Sequence, residues 1–346
     1  MENCNRSELS DRLWPYLLGT AAGTLLTALV ACGPGNHGAS AVGEMFGEIV
    51  LRAIALVLLL WIVPALWARL AHRVSPWVLL ALAAFAFGCG ILFSGDAMTA
   101  LYATLLIALP GAGLFGLQKL RLSNFRTVLY ESFVILAALF GFLCLDNMIR
   151  FGDAYRSFRN VIGLYGKVLA EWNALLEELG GTQISSVIAE LIAEIRQYPE
   201  VIFMPMLLIA AMTAGLSGTL FSHLFNRNGG AALSPLPPFE LWRCERWYVL
   251  LSVGLTFVTM LLSILQSPSA EALSGVASVL WRIPCSLAGL CTVRYLGQQT
   301  GRKWIFWIAV GLLIVLPSAA VMLLALIGML SAMRKPTNVG EDGIRK

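Results

Sequence analysis

Charge is scarce in this sequence. Of 346 residues only 13% are Asp, Glu, Lys or Arg, about half the roughly 25% of an ordinary soluble domain, and that excludes a water-facing surface of the usual kind. Histidine is scarcer, with three copies and none at ligand spacing, so no metal site is expected. The seven cysteines (Cys4, Cys32, Cys89, Cys144, Cys244, Cys285 and Cys291) include no Cys-x-x-Cys pair and sit mostly in or beside apolar stretches. They read as small buried packing residues, not as a disulfide or metal framework. His-Glu-x-x-His, Gly-x-Ser-x-Gly, a P-loop and paired intramembrane aspartates are also missing, so neither an enzyme nor a cofactor is expected. The net charge of +4 is not gathered into a basic run, and nucleic acid is not an expected partner.

Apolar residues are abundant, at 58% of the chain, and the mean hydropathy is +0.77. They form runs at Leu13–Cys32, Ile49–Leu70, Pro76–Phe93, Met98–Leu117, Val128–Leu145, Val201–Phe225, Trp247–Leu265, Leu273–Leu296 and Trp304–Met333. Runs of about 20 residues rise enough as helices to cross a hydrocarbon core of about 30 Å, where backbone groups must be paired internally. The expected fold is an all-α, polytopic transmembrane bundle of about nine spans, within a range of eight to ten. It divides into an amino-terminal bundle of about five spans (1–145), an extracytoplasmic amphipathic helical pair (146–200), a carboxyl-terminal bundle (201–333) holding a loop at 226–246, and a polar tail (334–346). In the helical pair, Val161, Leu164, Val168, Leu169 and Trp172 fall at helical spacing, and a second stripe begins at Ile184. The pair either packs on itself or lies on the membrane surface.

Lys and Arg cluster in alternate connections, at Arg69 and Arg73, at Lys119 to Arg126, at Arg227 to Arg246 and at Arg294 to Lys303. By the positive-inside rule the amino terminus is then cytoplasmic. Ala28 to Gly33 resembles a lipoprotein cleavage box, but the tail before it holds Glu2, Glu8 and Asp11 beside only Arg6 and Arg12, so an uncleaved first span is expected. The last run holds Pro317 and reads either as one tilted helix or as a broken, re-entrant pair. Trp14, Tyr16, Trp67, Trp77, Trp247, Tyr248, Trp304 and Trp307 lie near span ends, as interfacial anchors do.

Two features mark candidate sites. Arg282 sits near the middle of its span beside Pro284, and a central cation at a helix break is what an anionic solute needs. Glu131 is the nearest candidate for its partner by residue type, and the two form the candidate solute site. The other feature is the proline-dense, aromatic loop from Ser234 to Tyr248, where Pro237, Pro238, Trp242, Arg243 and Arg246 could meet a protein partner or lipid head groups. Gly111-Ala112-Gly113-Leu114-Phe115-Gly116 fits a dinucleotide fingerprint only in letters. It lies late in an apolar span with no strand before it, so close helix packing is expected there. Glu48 and Arg52 stand at i, i+4 and are expected to pair.

Pro237-Pro238-Phe239-Glu240-Leu241-Trp242-Arg243 resembles the signature of the YybS-like bacterial membrane proteins. Leu109-Pro110-Gly111, Leu287-Ala288-Gly289-Leu290 and Gly328-Met329-Leu330-Ser331 follow in the same order. The resemblance implies a multi-pass protein of the bacterial inner membrane whose helical layout is similar to substrate-binding components of vitamin transporters. The leading expectation is thus a membrane protein that binds or transports a small solute. The alternative is a non-catalytic interaction or assembly protein docking a membrane or cytoplasmic partner through the Pro-Pro loop.

Overall fold

The computed structural model describes residues 3–32, 42–120, 122–178, 192–193, 195–226, 242–267 and 270–333, and among these helix is the only regular structure. The chain divides into two units, Met1–Ser234 and Pro235–Lys346.

The first unit holds α1 (Asn3–Cys32), α2 (Val42–Ala71), α3 (Pro76–Ser94), α4 (Ala97–Lys119) and α5 (Asn124–Phe140). A π-helical turn (Gly141–Leu145) then leads into the short α6 (Asp146–Phe151), followed by α7 (Arg156–Glu178) and α8 (Glu200–Asn226). Local chemistry sets the joints. Gly95 closes α3 in the left-handed region at φ 67°, a conformation glycine adopts without steric cost. Asp96 then caps α4, accepting from the Thr99 amide at 2.8 Å, and Ser123 caps α5 through the Arg126 amide.

Helix α2 packs against α1, α4, α7 and α8, while α5 lies between α4 and α8. The interior is apolar around Leu60, Leu106, Ile135, Leu139 and Leu207. The perimeter is apolar as well: Leu51 and Leu92 are among many large hydrophobic side chains left exposed, which suits hydrocarbon and not water as the surrounding solvent.

The second unit holds α9 (Arg246–Ile264), α10 (Ala270–Gln299), α11 (Trp304–Val315) and α12 (Pro317–Met333). Both α11 and α12 pack on α10. Among the described residues, eight helices are long and apolar enough to cross a membrane, with Phe125–Phe151 counting once. The ninth expected run is instead two shorter helices, α11 and α12. Leu316 leaves helical geometry at φ −132°, ψ 65°, because proline disfavours the helical region in the residue before it and then starts the next helix. Pro64, Pro110, Pro205 and Pro284 do not interrupt their helices.

The expected amphipathic helix is α7. It packs on α2, with the Tyr165 ring 5.3 Å from that of Phe46. Of the second helix of that pair, residues 179–191 lie outside the described residues. Ile192 and Arg196 are described and lie against α7: a Cβ on Gly166 would sit 3.4 Å from Ile192 Cγ2, and one on Gly163 3.7 Å from the Arg196 guanidinium.

Candidate functional site

Among the described residues of the first unit, one carboxyl side chain is wholly enclosed. Glu131 lies about two turns into α5, has no solvent exposure, and neither of its carboxyl oxygens has a hydrogen-bond partner. It reaches this position because small residues surround it. On α4, a Cβ at Gly113 would lie 3.4 Å from Glu131 Oε2 and 3.1 Å from Val134 Cγ1. On α8, a Cβ at Gly215 would lie 2.8 Å from the backbone nitrogen of Ser132. Glycine at both points lets α4 close on α5 beside the carboxyl and α8 close on α5 at the neighbouring Ser132, as small residues do where helices pack in lipid.

The same packing explains the glycine-rich end of α4. A Cβ on Gly111 would run into the Trp67 side chain, whereas Gly116 faces open space. Gly111 and Gly113 serve helix contact, as their sequence context leads one to expect, and Gly116 does not. Trp67 is a correction to the anchor reading: it is buried, and its Nε1 donates to Thr24 Oγ1 at 3.1 Å. Tyr248 is buried too, while Trp77, Trp247, Trp304 and Trp307 are exposed near helix ends and Trp14 is exposed within α1. Glu48 and Arg52 form the expected ion pair, at 2.7 Å.

Two polar arrangements in this unit escaped the sequence reading. Thr20, Thr24 and Thr27 of α1 are all buried, and their i, i+4, i+7 spacing was the available signal. At the end where α2, α4 and α8 finish, His72 Nε2 lies 2.8 Å from Gln118 Oε1, and Gln118 Nε2 donates to Ser222 Oγ. Arg69 stands over the Tyr16 ring at 5.2 Å beside them. Residues from three helices meet in that network, so no local spacing announces it. At the opposite ends of these helices, Asp96 pairs with Arg150 of α6. The Thr99 hydroxyl and amide, with Arg150 adding to them, hold the Asp96 carboxyl well below the usual carboxylate range.

In the second unit, Arg282 is exposed halfway along α10, its guanidinium 5.6 Å from the Trp281 ring centroid. No carboxylate of the described part of that unit pairs with it. Proline at 284 removes the amide that would serve the Leu280 carbonyl, and the Tyr248 hydroxyl donates to that carbonyl instead. Cys244 Sγ donates to the Pro284 carbonyl at 3.3 Å. Arg246 donates through Nε to Ala332 O at 3.3 Å and through Nη2 to Met333 O at 3.0 Å, closing the end of α12. Trp242 is half-buried and Arg243 exposed; Pro237 and Pro238 lie outside the described residues. A Cβ on Gly289 would meet the Leu324 carbonyl, and one on Gly328 the Cys285 carbonyl, so α10 and α12 touch backbone to backbone.

Membrane-length helices, an apolar perimeter and a carboxyl enclosed within a span define an all-α polytopic membrane protein. The chain belongs to the family described as Predicted membrane protein (DUF2232), whose model matches residues 48–330, from α2 to near the end of α12. No curated protein and no solved structure matches the chain.

Proposed function

We propose that the protein is a solute-binding or solute-transporting component of the bacterial inner membrane, acting through the bundle of its first unit with Glu131 as the polar centre. The observation that carries this reading is the enclosed, unpartnered carboxyl of Glu131 among membrane-length helices. An ionisable group within a span costs about 2.5–3.5 kcal/mol on insertion scales and marks a solute, ion or proton path more often than it serves packing. An ionised carboxylate only accepts hydrogen bonds, so it suits a solute that carries donors or positive charge. Arg282, the other member of the candidate pair, lacks Glu131's enclosure.

Within its family we place the chain with the YybS-like proteins, on the strength of the Pro237 to Arg243 segment, and orient its amino terminus to the cytoplasm by the placement of Lys and Arg. For the Pro-Pro loop we infer bracing in preference to docking, because the residues that follow it, Cys244, Arg246 and Tyr248, each bond the backbone of α10 or α12.

The test is a thermal-shift screen of the protein in lipid nanodiscs against amines, amino acids and nucleosides. A small solute is expected to raise Tm for wild type and for Glu131→Asp more than for Glu131→Gln. A solute that shifts all three equally removes Glu131 from the site, and no response across the panel overturns the carrier reading.

A further inference from the structure

Glu131 supports a more specific assignment. On one side α4 lies against its carboxyl at Gly113, and α8 packs on the next residue, Ser132, at Gly215. From α4 the facing residue is Gly113, which brings no donor. Toward α8, Ser132 meets Gly215, and the Ser132 hydroxyl already donates to Val128 O at 2.7 Å. The titratable groups of the packed elements are Tyr102 and Lys119 on α4, Glu200 and His223 on α8, Arg126 and Tyr130 on α5, and Cys144 in the π-helical turn. None of them bonds or pairs with Glu131. Lys119 instead lies 4.4 Å from the Phe115 ring centroid.

An isolated carboxylate in such surroundings carries an uncompensated cost of tens of kcal/mol by Born solvation, so it holds either a proton or a counter-cation. A hard cation needs about six oxygen ligands. Among the described residues no group of three His, Cys, Asp or Glu is arranged to hold a metal ion. A proton needs none of these, and it fits the narrow gap between Glu131 Oε2 and the α4 backbone.

We propose that Glu131 is a proton-binding site, and that release of its proton is linked to separation of α5 from α4. The link to transport rests on the solute reading above; the proton site does not. In the release step the O–H bond of the carboxylic acid breaks, its electron pair stays on the carboxylate oxygen, and a water that enters between the helices takes the proton. The carboxylate is stable only with that water or a cationic group beside it, and admitting either one requires the glycine-mediated contact at Gly113 to part. Proton loss and opening are one event, which is the property a proton-coupled carrier needs.

Infrared spectroscopy of the full chain in nanodiscs tests the site with the proton itself as probe. At pH 7 wild type is expected to show a protonated-carboxyl stretching band that is lost in Glu131→Gln and retained, displaced, in Glu131→Asp. A spectrum at pH 7 in which Glu131 contributes only carboxylate bands overturns the assignment. Hydrogen exchange then tests the linkage. Between the ordinary carboxylate range and the pH at which the band disappears, protection of peptides containing Gly113 and Glu131 is expected to fall in wild type by up to about tenfold per pH unit relative to Glu131→Gln, the slope for one linked proton. Equal pH dependence in the two proteins overturns the linkage. A retained band with no response in the solute screen leaves the proton site standing and removes the carrier reading; a solute response without the band does the reverse.

Discussion

Tyr248 of α9 donates its hydroxyl to the Leu280 carbonyl of α10, the acceptor that Pro284 leaves without its helical donor. A proline within a membrane helix is tolerated when a neighbour satisfies the freed group, and here the neighbour is a single phenol. Tyr248→Phe is expected to lower stability by about 0.6–1.7 kcal/mol, the range measured for hydrogen bonds between membrane helices. Pro284→Ala should restore an amide donor, so the loss in Tyr248→Phe/Pro284→Ala is expected to be smaller than in Tyr248→Phe alone. Unfolding in mixed micelles measures both, and additive effects would show that the two residues do not share that carbonyl.

Gly289 and Gly328 set the distance between α10 and α12. Gly289→Ala or Gly328→Ala places a methyl against backbone carbonyls and is expected to cost at least the roughly 1–3 kcal/mol of core overpacking, since backbone cannot yield as a side chain does. Gly254 of α9 has nothing within 4 Å of such a methyl, so Gly254→Ala is expected to be neutral or slightly stabilising. The comparison by thermal unfolding separates steric cost from helix propensity.

Gly111 and Gly116 offer the same contrast in the first unit. Gly111→Ala drives a methyl into Trp67 and is expected to lower Tm, while Gly116→Ala, which faces open space, is not. Equal effects would contradict helix packing as the reason for the glycine pattern.

Asp96 gives a pH dependence. Its carboxyl is held low by Thr99 and Arg150, so its contribution is fully present above the unfolded-state value of about 3.9 and is lost as pH falls through the lower folded value. The Tm difference between wild type and Asp96→Asn is expected to be constant from neutral pH down to about 5 and to shrink below about 4. Because the pair is exposed, added salt should reduce the Arg150 part of that difference and leave the Thr99 cap in place.

Arg246→Gln removes the donors that close the carboxyl end of α12 and is expected to loosen that end, measured as faster amide exchange in α12. Arg243→Gln, whose side chain is exposed, is expected to leave exchange there unchanged. Loosening by both would mean that the loop braces α12 through more than Arg246.

Much of this protein is legible without coordinates, because lipid imposes a strong local rule. A run of about 20 apolar residues has no low-energy choice in a bilayer except a helix, and so the spans up to α10 follow from hydropathy and the Glu48–Arg52 pair from helical spacing. The prolines show where such rules end. Pro317 ends a helix and Pro284 does not, and the donor that the Leu280 carbonyl finds, Tyr248, lies 36 positions from that proline, where no local rule reaches.

Charge was legible as a cost but not as a location. Arg282 and Glu131 both stand out in an apolar chain, yet the sequence favoured Arg282, which the fold leaves exposed, over Glu131, which it encloses completely. The sequence by itself determined the solvent, the helices and the residue types expensive to place in them, since each depends on neighbours within a few turns. Which of those residues is sealed from every partner was decided only when α4 closed on α5 through Gly113 and α8 closed on it through Gly215, because burial is a property of helices that meet and not of any one of them.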